Sequence, residues 1–130
     1  MNAQVELQSI RIPPATVHVA SVRAFVGAVA RQVGYSEEVI EDLRLVASEA
    51  AAQALEEGVA DDGIELRAWL AGPRLTVEIE PSGAFASATG GGHPAQTTER
   101  RALIEALFPD AEFETRDDRS LLRLSVPDGR

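Results

Sequence analysis

The chain has 130 residues, a formal net charge of −9 and no cysteine, and this length predicts a single domain, residues 1–130. The charge argues against nucleic acid as a partner and favours a basic or mixed-charge protein, although acidity that only aids solubility explains it equally. The lack of cysteine excludes disulfides and thiolate sites, and no apolar run approaches the roughly 20 residues that span a bilayer, so we expect a cytoplasmic protein without a membrane anchor.

The first half of the chain predicts one strand and two helices. Residues 5–12 alternate weakly between apolar and polar types before two prolines, which predicts a strand and a turn. Apolar side chains recur at helical spacing over residues 17–33, and Gly34 ends this first helix. A second helix is predicted from Ser36, a natural N-cap, through residue 58.

The second half predicts four strands around one helix. The four strand-like runs alternate apolar and polar residues and span residues 64–71, 75–80, 111–115 and 120–126. Residues 82–96 are rich in glycine and predict a loop, and apolar spacing over residues 98–108 predicts the last helix. The order β-α-α-β-β-α-β-β predicts an α/β two-layer sandwich, in which a mixed, mostly antiparallel sheet carries helices on one face.

The second helix carries the most informative pattern of the chain. Residues 42–54 have the sequence Asp-Leu-Arg-Leu-Val-Ala-Ser-Glu-Ala-Ala-Ala-Gln-Ala, and helical geometry stacks Glu49 and Gln53 one turn apart beside the apolar stripe. This segment resembles the motif helix of the anti-sigma factor serine kinases, a family of the histidine-kinase-like ATPase superfamily. The resemblance covers nearly the whole chain and implies the same two-layer fold, with a nucleotide cavity between sheet and helices.

The resemblance implies roles for the two polar residues of this helix. Glu49 corresponds to the general base for phosphoryl transfer to a partner serine, and Gln53 stands where the family has an Asn that helps to hold magnesium and the nucleotide phosphates. The longer Gln side chain moves the amide oxygen by about 1.5 Å, and magnesium tolerates little departure from octahedral geometry. The alternative is that Glu49 is a solvated residue on the flank of an acidic helix.

Two glycine-containing motifs of the family are altered in this chain. The motif after the third strand aligns with Pro81 and Gly83, so the family's Asp, whose carboxylate accepts the adenine amino hydrogen, is absent. Glu80 cannot replace it, because alternation along the strand points Glu80 to the opposite face. The glycines at the head of the last helix align with Thr98 and Arg100, where the backbone amides can still bind an anion with the help of Arg100 or Arg101.

These altered motifs predict a regulatory protein more than an enzyme. We expect an anti-sigma-factor-like homodimer that sequesters a sigma factor, is released by a STAS-type antagonist protein and needs no cofactor. The resemblance places Arg23 at the partner surface, and an ordinary surface arginine is the alternative. A competing hypothesis is an active serine protein kinase that uses Mg-ATP, with Glu49 as base and Gln53 at the metal. A third is a regulatory domain whose partner is not a sigma factor.

Overall fold

The computed structural model describes residues 7–56, 62–82, 94–116 and 119–126. A 3-10 turn at Thr16–His18 precedes the first α-helix. Within these ranges the strands and α-helices are β1 Gln8–Ile12, α1 Val19–Val33, α2 Glu37–Glu56, β2 Ile64–Ala71, β3 Arg74–Pro81, α3 Pro94–Leu107, β4 Glu112–Arg116 and β5 Arg119–Val126. This sequence of elements confirms the predicted order and the α/β two-layer class.

The strands form one sheet in the order β1-β2-β3-β5-β4. In the described part of the chain every neighbouring pair is antiparallel. Alternation along β2 and β3 turns Leu66 and its cross-strand partner Ile79 into the core, with no exposed surface on either. The polar residues that alternate with these apolar residues along β2 and β3 therefore lie on the opposite face of the sheet.

The three α-helices that the structure describes cover one face of this sheet. Their buried side chains follow helical spacing, as Val22 and Val26 on α1 and Ile40 and Leu43 on α2 do. These side chains join the inward residues of the strands in one hydrophobic core. Among the helices that the structure describes, none has both the length and the apolar character required to cross a bilayer.

The end of α1 and the start of α2 follow their predicted signals, whereas the predicted end of α2 at residue 58 lies outside the described residues. Gly34 ends α1 in the left-handed conformation, with φ of 96°, and donates from its backbone N–H to the carbonyl of Ala30. Ser36 caps α2, where its Oγ accepts a hydrogen bond from the N–H of Val39 at 3.4 Å. The start of α1 differs from the prediction, because Val17 belongs to the 3-10 turn before it and is 75% exposed.

The last helix begins earlier than the sequence predicts. It starts at Pro94, so residues 94–96 are helical and not part of a loop. Proline suits the first turn of a helix because the N–H that it lacks has no partner there. Its inward face also differs, since Ile104 is buried whereas Ala102 and Ala106 are exposed. The core side of α3 is therefore rotated relative to the stripe that apolar spacing predicts, which consists of Ala102, Leu103, Ala106 and Leu107.

Tyr35 fastens the connection between α1 and α2 to the sheet. Its buried hydroxyl accepts a hydrogen bond from the N–H of Leu75 at 3.1 Å and donates one to the carbonyl of Val126 at 2.9 Å. Leu75 and Val126 are opposite each other at one end of the β3–β5 ladder. The hydroxyl thus satisfies two strand-end backbone groups and fixes the position of Tyr35, which precedes the capping Ser36 of α2.

Candidate functional site

Helix α2 presents Glu49 and Gln53 one turn apart, as the sequence predicts. Glu49 is half-buried, with a side-chain exposure of 34%. Gln53 is buried, with 8% of the residue exposed, and it interacts with another group of the protein. Because Ala50 and Ala54 on the adjacent stripe face the core, both polar side chains lie at the edge of the packed interior.

Arg100 of α3 reaches across to this part of α2. Its Nη1 and Nη2 donate to the two carboxylate oxygens of Glu56 at 2.7 and 3.1 Å. Its Nε donates to Oε2 of Glu49 at 3.2 Å. The side chain of Arg100 is 18% exposed. Its guanidinium thus forms a bidentate ion pair with Glu56 and a single hydrogen bond with Glu49. We call these three side chains the Arg100 bridge.

The electrostatics of the bridge keep Arg100 charged. The hydrogen bond to Glu56 is the main cause that raises the pKa of Arg100; burial opposes it, and the charges of Glu56 and Glu49 add to the rise. A group whose pKa is raised on folding contributes its stabilisation at every pH below its unfolded value, which for arginine lies far above neutrality. The guanidinium therefore remains a cation throughout the neutral range.

The helical phase of α3 explains why Arg100 and not its neighbour makes this contact. Arg100 precedes the buried Ile104 by one turn, so both lie on the side of α3 that faces the protein. Arg101 lies about 100° further around the helix. There its Nε donates to Oε1 of Glu105 at 3.1 Å, and its Cζ lies 4.1 Å from the centre of the Phe113 ring.

The backbone of α3 does not offer the anion site that the sequence predicts. Only the first four N–H groups of a helix lack a partner within it. Because α3 begins at Pro94, the amides of Thr98 and Arg100 fall inside the helix and are engaged there. Arg100 also binds carboxylates, so the expectation that these positions hold an anion is wrong for the backbone. Gly83, the other predicted nucleotide residue, lies outside the described residues.

The end of β3 carries no acidic side chain at the position that the resemblance assigns to adenine recognition. Pro81 is buried and ends the strand opposite Ile64. Glu80 points the other way, as predicted, and accepts a hydrogen bond from Nη2 of Arg67 at 2.9 Å. A direct carboxylate contact to a ligand from position 80 is therefore excluded on the helix side of the sheet.

The face of the sheet opposite the helices carries a row of paired charges. Glu78 of β3 lies between Arg67 of β2 and Arg123 of β5, its register partners. Its two carboxylate oxygens accept hydrogen bonds from the Nε atoms of Arg67 at 3.0 Å and Arg123 at 2.9 Å. Only 8% of Glu78 is exposed, so this row is a packed part of the sheet.

Arg23 stands apart from the Arg100 bridge. It lies on α1 and is exposed, whereas Val22 and Val26 on the same helix are buried. The bridge connects α2 and α3. The structure therefore brings Glu49 and Arg100 together and leaves Arg23 on the surface of another helix.

Sequence reasoning did not include Glu56 in the site, although it makes the shortest contact of the bridge. Its signal was its spacing, seven residues or two turns after Glu49 on the same flank. Among the described residues, no three His, Asp or Glu side chains group as a metal site. The acidic residues of the bridge already share a cation, so this arrangement fits a guanidinium better than Mg²⁺.

Comparison with known proteins relates this fold to one family. A family model described as histidine kinase-like ATPase domain matches residues 12–126. Among solved structures, the crystal structure of the RsbU and RsbW domains of Rv1364c from Mycobacterium tuberculosis aligns with a TM-score of 0.73 and 22% identity. The alignment covers 93% of this chain and 32% of that one, so the chain spans about a third of its length. At this identity the likeness shows a shared fold alone. No curated protein matches the chain.

Proposed function

Because the chain belongs to the histidine kinase-like ATPase domain family, we propose that it is an anti-sigma-factor-like regulator that sequesters a sigma factor, with nucleotide binding and kinase activity reduced or lost. The Arg100 bridge is the observation that carries this proposal. Glu49, the candidate base, already accepts a hydrogen bond from a guanidinium at 3.2 Å, so one of the oxygens that a serine hydroxyl would have to approach is engaged. Glu56 is bonded to the same group through both oxygens.

Other features of the candidate nucleotide site support the same conclusion. Pro81 offers no side-chain acceptor for an adenine amino group, and a site that loses such a partner binds more weakly by about 1 to 3 kcal/mol. The amides of Thr98 and Arg100 are engaged inside α3. These two changes act on different parts of a nucleotide, so their effects on affinity add.

The proposed mode of action is occlusion of a sigma factor by protein–protein contact. Arg23 is exposed on α1, so its guanidinium is available to a partner. Arginine is enriched among the residues that dominate binding energy at interfaces. We further propose that the protein acts as a homodimer in the cytoplasm and that a STAS-type antagonist releases the sigma factor.

An active serine protein kinase remains the second candidate, and one observation favours it. A third of the Glu49 side chain is exposed, at 34%, so a partner serine can approach it from solvent. In this alternative the Arg100 bridge must open before Glu49 accepts a proton. Mg-ATP is then required, with Gln53 at the metal.

Capture of sigma factors tests the proposal. The purified chain is immobilised and presented with individual purified sigma factors, and the same is done with Arg23→Glu. We expect one sigma factor to bind the unmodified chain and the substitution to reduce its affinity at least tenfold. Arg31→Glu is a matched control, because Arg31 lies on the same helix but pairs with Glu37 at 3.1 Å.

The outcomes of this capture experiment separate the parts of the proposal. If no sigma factor binds the unmodified chain, the proposed function is wrong. If Arg23→Glu binds as tightly as Arg31→Glu, sigma-factor sequestration stands but the assigned surface is wrong. Phosphoryl transfer from ATP to a serine of an antagonist, abolished by Glu49→Gln, would establish the kinase alternative instead.

A further inference from the structure

Arg44 of α2 lies across α1 at a position where that helix has no side chain. Gly27 is buried, and a Cβ at this position would lie 3.4 Å from Cδ and 3.7 Å from Cγ of Arg44. The apolar stem of Arg44 therefore packs over the backbone of α1. Because Arg23 precedes Gly27 by one helical turn, this contact lies on the same side of α1 as Arg23.

The charged end of Arg44 is incompletely bonded. Its Nη1 donates to Oε1 of Glu41 at 3.0 Å, within one helix, and the Glu41 side chain is 58% exposed. Its Nε is buried and, within the part of the chain that the structure describes, is the one buried side-chain nitrogen or oxygen without a hydrogen bond. A buried donor without an acceptor is unfavourable, and an exposed pair within one helix contributes little. The fold therefore gains little from the charge of Arg44 in this position.

We propose that Arg44 is a second arginine of the sigma-factor contact, and that on binding its guanidinium leaves Glu41 for a carboxylate of the sigma factor. This inference rests on the proposed function and names the chemistry of the partner beside Arg23. A carboxylate from outside can accept from Nε and an Nη atom at once, which gives the buried donor the acceptor that it lacks in the free chain.

The surroundings of Arg44 allow this exchange. The Arg44 side chain is 32% exposed, so an acidic side chain can approach it from solvent. Gly27 presents no side chain that would hold the guanidinium against α1, and rotation about the side-chain bonds of Arg44 moves it outward between staggered rotamers. The bond to Glu41 that is lost in this step is weak, because solvent and salt screen it.

Charge favours a protein carboxylate over a nucleic acid as the occupant. The chain carries a net charge of −9, which repels a polyanion along its whole length. A single carboxylate in contact with an arginine is attracted more strongly than distant charges repel it, because salt screens charges beyond about 8 to 10 Å. A sigma factor of mixed charge can place an acidic group here and basic groups against the rest of the surface.

The experiment measures sigma-factor affinity and free-chain stability of Arg44→Met. Met retains an apolar stem over Gly27 and removes the guanidinium. The purified sigma factor that the unmodified chain captures is titrated against both proteins by calorimetry, and we expect the dissociation constant to rise about tenfold or more for Arg44→Met. The urea midpoint of free Arg44→Met should equal or exceed that of the unmodified chain, because the variant lacks the buried donor without an acceptor.

Glu41→Gln gives a test of opposite sign. Glu41 competes with the sigma factor for the guanidinium of Arg44, so its neutralisation should lower the dissociation constant about twofold or more. Arg31→Met is the matched control, because it removes one positive charge from the same pair of helices. Arg31 already bonds Glu37 at 3.1 Å, so the affinity of this variant should stay near that of the unmodified chain.

Unchanged affinity in Arg44→Met would overturn the inference and leave sigma-factor sequestration in place. An equal loss in Arg31→Met would overturn it as well, since the effect would then come from net charge and not from contact. Weaker binding by Glu41→Gln would show that this surface takes a basic group, and a lower urea midpoint in Arg44→Met would show that the guanidinium serves the fold. If no sigma factor binds the unmodified chain, the proposed function fails and this inference fails with it.

Discussion

The carboxylate of Glu49 accepts a hydrogen bond from Nε of Arg100 at 3.2 Å. Two residues that the sequence assigns to different parts of a nucleotide site, 51 positions apart, are therefore bonded directly to each other. The candidate base is bonded to an arginine, and that arginine is held more firmly by Glu56. The contributions of the Arg100–Glu49 and Arg100–Glu56 contacts to stability can be measured separately.

The Arg100–Glu56 contact should contribute more stability than the Arg100–Glu49 contact. In urea unfolding, a double-mutant cycle of Arg100→Gln and Glu56→Gln should give a coupling energy of about 1 kcal/mol, because the bond is two-pronged but half of Glu56 is exposed. The matched cycle with Glu49→Gln, which removes one bond only, should give about half of that value. A larger coupling for Glu49 would contradict the geometry of the bridge.

Removing the Tyr35 hydroxyl should weaken the end of the sheet. Tyr35→Phe keeps the ring but leaves the N–H of Leu75 and the carbonyl of Val126 without this partner. Because both groups are buried, the free energy of unfolding should fall by about 2 kcal/mol, measured in urea. Ser48→Ala is the control: its hydroxyl bonds the Leu45 carbonyl within its own helix, and a loss as large as that of Tyr35→Phe would contradict this assignment.

Neutralising Glu78 should destabilise the outer face of the sheet. Glu78→Gln leaves Arg67 and Arg123 without their shared carboxylate in a place that is 8% exposed. Each arginine retains other acidic partners, so we expect a loss of about 2 kcal/mol in the free energy of unfolding, below the usual range for a broken buried pair. Glu112→Gln should be nearly neutral, since Glu112 is 61% exposed and lies 3.9 Å from Arg123. Equal losses in both variants would refute the importance of burial here.

Restoring the family's asparagine should not by itself restore a nucleotide site. Gln53→Asn shortens the side chain, but the Arg100 bridge remains in place. Titration calorimetry with Mg-ADP should therefore detect no binding to Gln53→Asn. The double variant Gln53→Asn, Arg100→Gln should bind more tightly than either single variant. Strong binding by Gln53→Asn alone would show that the amide, and not the arginine, limits affinity.

The sequence predicts the fold and the separate site residues better than it predicts their contacts. The strand over residues 64–71 has its predicted bounds, because strict alternation and a glycine turn leave one choice of register. The prediction that α3 starts at Thr98 was wrong, since both Thr98 and Pro94 are favourable near a helix start. The spacing of Glu56 from Glu49 places both on one flank of α2, but it does not predict the pairing with Arg100, because charged partners far apart in the chain meet only after the helices pack.

Isothermal titration of the unmodified chain with Mg-ATP and Mg-ADP tests the central claim most directly. The claim is that the Arg100 bridge and the altered motifs leave no working nucleotide site. We predict no heat of binding at concentrations that detect a millimolar dissociation constant, and no competition between the two nucleotides. Micromolar binding that depends on magnesium would contradict the claim and would make Glu49 the first residue to test as a catalytic base.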